Sequence, residues 1–440
     1  MYKRNSMVRD NDLYNRAYFD FTTGLRNKNY IDYMLPEVMR HKGNCNYQAI
    51  NIDVENFNIL NENLGYDLCN KLLKEVAKIL SNIFNKKSIV IYCGFNRFLI
   101  ISFKEKHVND YARKILNDLK NKFIIGSRTI NLTISMGIYV NTKCENIFTA
   151  IQNAYIALNY AKKQEGDCFS IFNTSMESQI FKKEKMQKNL KEAIRNDLLD
   201  VYYQPKINLD SETLMGVEAL LRWNDDELGT ILPIEFINLA EETGIIIDLG
   251  RYVLRKVCKQ IKTWEESGVE YRNVAVNLSA KQFKDVHLPE YIGQILNEYG
   301  VSPDVLELEI TESAVIENTD LSNNMISKII KKGIKIAIDD FGTGYSSYIQ
   351  LSNLSLNTLK INKSFIDFIN CDNKKNLIIK NIIEFAHILD MKVVAEGVEQ
   401  EQQMITLKEY GCDIIQGFYY SKPLSAKNFE KYIREKEGKC

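Results

Sequence analysis

The chain has no excess of either charge: 57 lysines and arginines are matched by 57 aspartates and glutamates among 440 residues. A neutral chain is a poor general binder of DNA or RNA polymers, although a small phosphate ligand stays open. No run of about 18 apolar residues occurs, so no segment reads as a membrane span. The opening stretch, MYKRNSMVRDND, lacks the apolar core of a signal peptide. A sensory or membrane part upstream would not show in this sequence. Histidine is scarce, and His41, His107, His287 and His387 stand apart from the acidic motifs. That argues against a histidine-rich zinc or iron site. The nine cysteines are scattered without a CxxC pair, which fits a reducing, cytoplasmic setting. A metal held by Asp, Glu and Asn would be hard, Mg²⁺ or Mn²⁺. The length points to two or three domains.

What is present is organised around residues 334–347, IKIAIDDFGTGYSS. Ile334 to Ile338 suit a buried strand. The strand stops at two adjacent carboxylates, Asp339 and Asp340, followed by Gly342, Thr343 and Gly344. A single Asp before a turn reads first as a helix cap. Two acids at the end of an apolar strand repel each other unless a cation lies between them. A metal site is therefore the favoured reading of the pair.

The first half mixes helices with largely antiparallel strands, which reads as an α+β sheet covered by helices. A helix–turn–helix occupies 13–40 and a strand 47–54. An amphipathic helix carries Leu68, Leu72, Leu73, Val76, Ala77 and Leu80. A hairpin covers 88–103 with its turn at Gly94 to Arg97. A helix near 108–122, a strand near 129–140 and a helix near 146–163 follow. Over residues 13–172 this half resembles the GGDEF, or diguanylate cyclase, domain. The matching residues are Asp20, Thr23, Gly24, Leu25 and Asn27, the stretch from Ile52 to Gly65, TISMG at 133–137 and AYIALNYAKKQEGD at 154–167. The signature pentapeptide is altered: it reads Gly94-Phe95-Asn96-Arg97-Phe98. Against the family pattern, Phe95 sets a ring where the backbone should approach phosphates. Asn96 and Arg97 replace the acidic pair, and Arg97 is expected to put a cation at the metal position. Asn70 stands where the family has a guanine-contacting Asp. Asn85-Lys86-Lys87-Ser88 replaces the inhibitory RxxD. Asp53 and Asn61 are retained. The resemblance thus implies a cyclase-like domain without cyclase activity, with a dimerisation or partner-contact role outweighing GTP binding.

Residues 173–198 form a charged helical stretch without glycine or proline, expected as a stiff connector. The domain boundary is expected near 175. Beyond it, strand-like runs at 200–208, 215–221, 273–278, 305–310, 334–338, 357–361, 392–395 and 412–416 alternate with helices at 233–242, 248–266, 288–298, 321–332 and 374–389. Pro233 opens the first of these helices. This βα count over 185–440 reads as a TIM-like (β/α)8 barrel, giving an α/β chain overall. Glu218 lies in the second run. Asn277, Glu309, Asp339 with Asp340, Lys360, Glu396 and Gln416 end the third to the eighth. In a parallel barrel such strand ends converge on one face. Several carboxylates, an amide and a lysine together describe a two-cation site that lowers the pKa of water and offsets phosphoryl charge.

The second half resembles the EAL domain, the phosphodiesterase of the bacterial second messenger cyclic di-GMP. The resemblance rests on YYQPKINL (202–209), EALLRW (218–223), PIEFINLAEETG (233–244), VNLSAKQF (276–283), ELEITES (307–313), IDDFGTGYSS (338–347), LKINKSFI (359–366), VVAEGVE (393–399) and IIQGFYYSKPL (414–424). It implies that Glu218, Asn277, Glu309 and Asp339 ligate one metal. Asp339, Asp340 and Glu396 reach the second metal or the bridging water, and Lys360 orients that water. Gln204, Leu220, Arg222, Glu399 and Gln416 line the substrate site, Arg222 being placed for a phosphate. Glu312 anchors the glycine loop Asp340 to Ser347. The implied reaction is hydrolysis of cyclic di-GMP to 5′-pGpG with two Mg²⁺ or Mn²⁺, in a homodimer formed through the EAL half. One position departs: Asn362 replaces the usual Asp, which removes a charge near Lys360. The competing readings are a catalytically silent cyclic di-GMP receptor, disfavoured by the intact acids, and an unrelated metal-dependent barrel lyase or aldolase, disfavoured by EALLRW and QGFYYSKPL.

Overall fold

A computed structural model describes residues 12–437, apart from 44–45, 85–87, 104–107, 121–122, 126–127, 142–145, 165, 167, 317–318, 343–350, 352–353 and 370–372. The chain divides between Lys182 and Lys183 into two compact units. The helix Thr174–Arg195 contains that division, a few residues later than the composition change implied.

The first unit is built on β1 (Tyr47–Val54), β2 (Ser88–Gly94), β3 (Arg97–Ser102), the short hairpin β4 (Phe123–Ile125) and β5 (Arg128–Ile130), β6 (Ile134–Asn141) and β7 (Cys168–Ile171). The main sheet has the order β2-β3-β1-β6-β7. Its pairs are antiparallel except β6 with β7. Alternation along β1 sends Ile50, Ile52 and Val54 to one core with the helix Tyr66–Phe84, and Tyr47 and Ala49 to another with the helix Ile147–Ala161. The TISMG glycine has a packing role. A Cβ on Gly137 would lie 2.0 Å from the Leu158 backbone nitrogen, so only glycine lets that helix approach β6 so closely.

The second unit contains β8 (Asp200–Asn208), β9 (Leu214–Asp225), β10 (Gly229–Ile231), β11 (Val274–Leu278), β12 (Leu306–Thr311), β13 (Lys335–Phe341), β14 (Thr358–Ile361), β15 (Lys392–Glu396), β16 (Ile414–Gln416) and β17 (Leu424–Ser425). Eight of these close a barrel in the order β8-β9-β11-β12-β13-β14-β15-β16 and back to β8. The expected TIM-like barrel is present with one difference. β8 runs antiparallel to both β9 and β16, whereas the other neighbours are parallel. The chain can reverse there because β8 and β9 are joined by a tight turn, which Asn208 caps by accepting from the backbone of Asp210 and Ser211. The outward strand residues and the helices make a continuous apolar layer from Val217 and Ala219 round to Ile415. β10 and β17 are too short to register as apolar runs. Among the described residues no helix is long and apolar enough to cross a membrane.

Candidate metal centre

Period-two alternation delivers the polar side chains to the barrel interior. Along β9, Val217, Ala219, Leu221 and Trp223 pack outward into apolar cores, so Glu218, Leu220 and Arg222 share the inner face. Along β8, Tyr203 packs outward and Gln204 lies directly opposite Glu218. Asn277 pairs with Glu309 across β11 and β12, and Glu396 with Gln416 across β15 and β16.

Asp339 and Asp340 need a further device, because neighbours on a regular strand face opposite ways. The register between β13 and β14 advances three residues on β13, Ile338 to Phe341, against two on β14, Leu359 to Ile361. That is a bulge. Asp340 sits in it with φ +56°, in the left-handed region that strains a non-glycine residue. Oxygens of Asp339, Asp340 and Glu396 consequently lie within 4.8 Å of one another. Asn362 donates to Asp340 Oδ1 and, through its own Oδ1, caps the helix Lys363–Ile366 by accepting from Ser364 N at 2.7 Å.

Lys360 is fully buried at the centre of the ring. Its Nζ lies 2.6 Å from Glu309 and from Glu396, 3.2 Å from Asp339 and 3.7 Å from Glu218. Burial alone would lower its pKa, but Glu218, Glu309, Glu396 and Asp339 outweigh that and hold it well above the usual lysine value. Glu309 is braced from two sides, with Oε2 on Lys360 and Oε1 2.7 Å from Lys206. Burial raises its pKa, yet the two ammonium groups prevail and hold it at about 2. Burial pushes Glu396 up to about 8 despite Lys360, and Glu218 and Asp339 are raised in the same way. Six carboxylates, Glu218, Glu307, Glu309, Asp339, Asp340 and Glu396, are gathered around two ammonium groups, Lys206 and Lys360. If all ionise, four negative charges remain, the charge that two divalent cations carry. Gln416 Nε2 donates to Glu218 and to Gln204, while its Oε1 is buried without a partner. The donor set is therefore all oxygen plus amide, the chemistry of a hard cation.

A family model described as "EAL domain" matches residues 187–423. A second, "Diguanylate cyclase, GGDEF domain", matches 17–168. The chain belongs to the EAL domain family. Signaling protein YkoW of Bacillus subtilis strain 168 is 33% identical over 97% of this chain and 54% of its own. Cyclic di-GMP phosphodiesterase PdeR of Escherichia coli K12 is 31% identical over 94% of this chain and 63% of its own. The chain thus spans between about half and two-thirds of the curated relatives it matches. A solved structure described as PaMucR phosphodiesterase in complex with c-di-GMP is 38% identical, covers 56% of this chain and 99% of its own, and has a TM-score of 0.54.

Within the EAL domain, the residues expected at the site converge with two qualifications. Glu399 is exposed and pairs with Lys363 outside the ring. Glu312 is buried and accepts from Gly342 N at 2.9 Å, which fits an anchor at the base of the glycine loop; Thr343 to Ser347 lie outside the described residues. Arg222 donates to its own strand at Leu221 O and lies 5.6 Å from the Tyr202 ring. Lys206, Glu307 and Thr358 were not anticipated. Thr358 donates to Glu307 at 2.6 Å, and Glu307 accepts from Lys206 at 3.2 Å. Their positions two residues from Gln204, Glu309 and Lys360 put them on the same inner face, a signal that the alternation contained.

The GGDEF domain requires a correction. Gly94 and Phe95 both take positive φ in the hairpin turn, and Phe95 is 82% exposed. Arg97 does not reach the metal position; it is exposed and lies 5.8 Å from the Tyr155 ring. The cation on buried Asp53 comes from Lys162, at 2.7 Å, and Asn96 donates to the same carboxylate at 2.9 Å. Arg97 opens β3 and turns toward Tyr155 of the helix Ile147–Ala161, so its charge alone did not reveal where it would go. Asn85 to Lys87, in place of RxxD, lie outside the described residues.

Proposed function

We propose that the EAL domain hydrolyses cyclic di-GMP to linear 5′-pGpG. The carrying observation is the closed ring of Glu218, Glu309, Asp339 and Glu396 around buried Lys360. Glu218, Asn277, Glu309 and Asp339 would hold one Mg²⁺ or Mn²⁺, and Asp339, Asp340 and Glu396 a second. Bound cations supply Lewis-acid polarisation of a phosphoryl oxygen and a lowered pKa for water. Lys360 orients the attacking water and offsets charge developing on the phosphoryl group. Gln416, with its unpartnered Oε1, and Gln204 bind substrate beside Glu218. Leu220, Arg222 and Glu399 extend that surface outward, Arg222 offering a fork to a phosphate. In the reaction water oxygen bonds to phosphorus in line with the departing 3′ oxygen, which leaves as the ribose hydroxyl. The GGDEF domain makes no cyclic dinucleotide, because Lys162 and Asn96 already satisfy Asp53. We assign it a contact or regulatory role, and place the protein in the cytoplasm as a dimer through its EAL half.

The test is incubation of the purified chain with cyclic di-GMP and Mn²⁺ or Mg²⁺, with products resolved by chromatography. Metal-dependent appearance of pGpG, lost in Glu218→Ala, supports the reading. Tight nucleotide binding without turnover would instead make the protein a receptor.

A further inference from the structure

On the outside of the barrel lies a cleft of about 760 Å³, a size suited to a small ligand. One wall is the end of the helix Thr174–Arg195, whose Met186, Leu190 and Ala193 are buried against Leu221, Trp223 and Phe236. The other wall is one face of the helix Ile246–Ser267, where positions 248, 251, 252, 255, 256 and 259 recur at helical spacing. The opposite face of that helix is fixed in the barrel core through Leu254, Val257 and Ile261. Packing thus determines both walls, independently of what they present to the cleft.

What they present is positive. Lys191, Arg195, Arg251, Arg255, Lys256 and Lys259 line the cleft, against only Asp197 and Asp248. Lys256 takes Asp197 at 2.8 Å. Arg251 reaches Asp285 at 3.6 Å. Among the described residues Lys191, Arg195 and Arg255 have no carboxylate within ion-pair distance. Like charges around one concavity repel each other and concentrate anions there. The chain is neutral overall, so this surplus is local. Arginine forks on both walls match phosphate oxygens in pairs.

We propose that this cleft binds a polyphosphate, an anion of two or three linked phosphate groups, either free or carried by a nucleotide. The ligand bridges Lys191 and Arg195 on one helix to Arg255 and Lys259 on the other, and so pins the last turns of Thr174–Arg195 to the barrel. The site is separate from the carboxylate ring and does not depend on the proposed hydrolysis.

Titration calorimetry of the full chain in metal-free buffer, with inorganic tripolyphosphate and separately with GTP, tests it. The double variant Arg255→Gln, Lys259→Gln changes two exposed side chains, and retention of its circular dichroism checks folding. We expect wild type to bind tripolyphosphate, the double variant to bind at least tenfold more weakly, and Lys162→Gln in the GGDEF domain to leave tripolyphosphate affinity unchanged. Similar affinity for GTP and tripolyphosphate identifies the phosphate chain as the determinant; tenfold tighter GTP binding that the double variant also loses makes a nucleotide the source. Hydrogen exchange of residues 186–196 is expected to slow on adding tripolyphosphate to wild type alone. Absence of binding at millimolar concentration, unchanged affinity in the double variant, or unchanged exchange with ligand bound would each overturn the proposal.

Discussion

Replacing Lys360 by methionine tests the electrostatics of the ring directly. Lys360 is fully buried and is shared by Glu309, Glu396, Asp339 and Glu218. Methionine keeps much of the volume and removes the cation, leaving buried carboxylates without their partner. Breaking a buried pair in this way costs about 3–5 kcal/mol. At roughly 2–4 °C per kcal/mol, the unfolding midpoint should fall by roughly 10 °C in metal-free buffer. Both tryptophans, Trp223 and Trp264, are buried in the barrel unit, so fluorescence reports its unfolding alone. The deficit should shrink as pH falls. An acid whose folded pKa is raised holds its proton in the folded state, so stability is gained on acidification and lost as pH rises through that pKa. The raised values of Glu218, Asp339 and Glu396 give this sign, and the window runs from the ordinary 4.5 to about 8 for Glu396. Added Mn²⁺ should restore more stability to the variant than to wild type. A Lys360→Met barrel that unfolds within about 1 kcal/mol of wild type at pH 8 without metal would refute this reasoning, since an uncompensated buried charge costs more than that.

Other outcomes follow from the same geometry. Asn362→Asp keeps a helix cap but exchanges an amide donor for a carboxylate beside Asp340; Mn²⁺ affinity measured by calorimetry should rise about tenfold, roughly 1.4 kcal/mol, and a weaker affinity would contradict the role given to Asn362. Carboxyls must lose their protons to ligate a metal, so wild-type Mn²⁺ affinity should climb between pH 6 and about 8 as Glu396 ionises; a flat profile would remove Glu396 from the ligand set. Purified protein given GTP and Mg²⁺ should make no cyclic dinucleotide, because Lys162 occupies Asp53, and any such product on chromatography would refute the assignment of an inactive GGDEF domain.

Much of the barrel was legible because buried strands are apolar runs and their polar exceptions mark the inner face. Glu218, Asn277, Glu309, Lys360 and Glu396 were recognisable as such exceptions. The reversal of β8 was not, since an apolar run carries no direction. The bulge at Asp340 was also hidden: adjacent acids on a strand normally diverge, and only the register against β14 brings them together. Lys206 and Glu307 obey the same alternation as the recognised residues, but sit deeper in the barrel than the strand tips that drew attention. In the first unit, the altered pentapeptide suggested Arg97 as the cation at the metal position, whereas the cation that reaches Asp53 is Lys162, distant in sequence and adjacent only once the helix Ile147–Ala161 packs on β6.

The central claim is that separate strands assemble one site for a pair of hard divalent ions. A crystal grown with Mn²⁺ and cyclic di-GMP, examined by anomalous scattering, tests it most directly. The account predicts two manganese peaks roughly 4 Å apart, sharing Asp339, with Glu218, Asn277 and Glu309 around one and Asp340 and Glu396 around the other. A map with ligand bound and no manganese within the ring would contradict it.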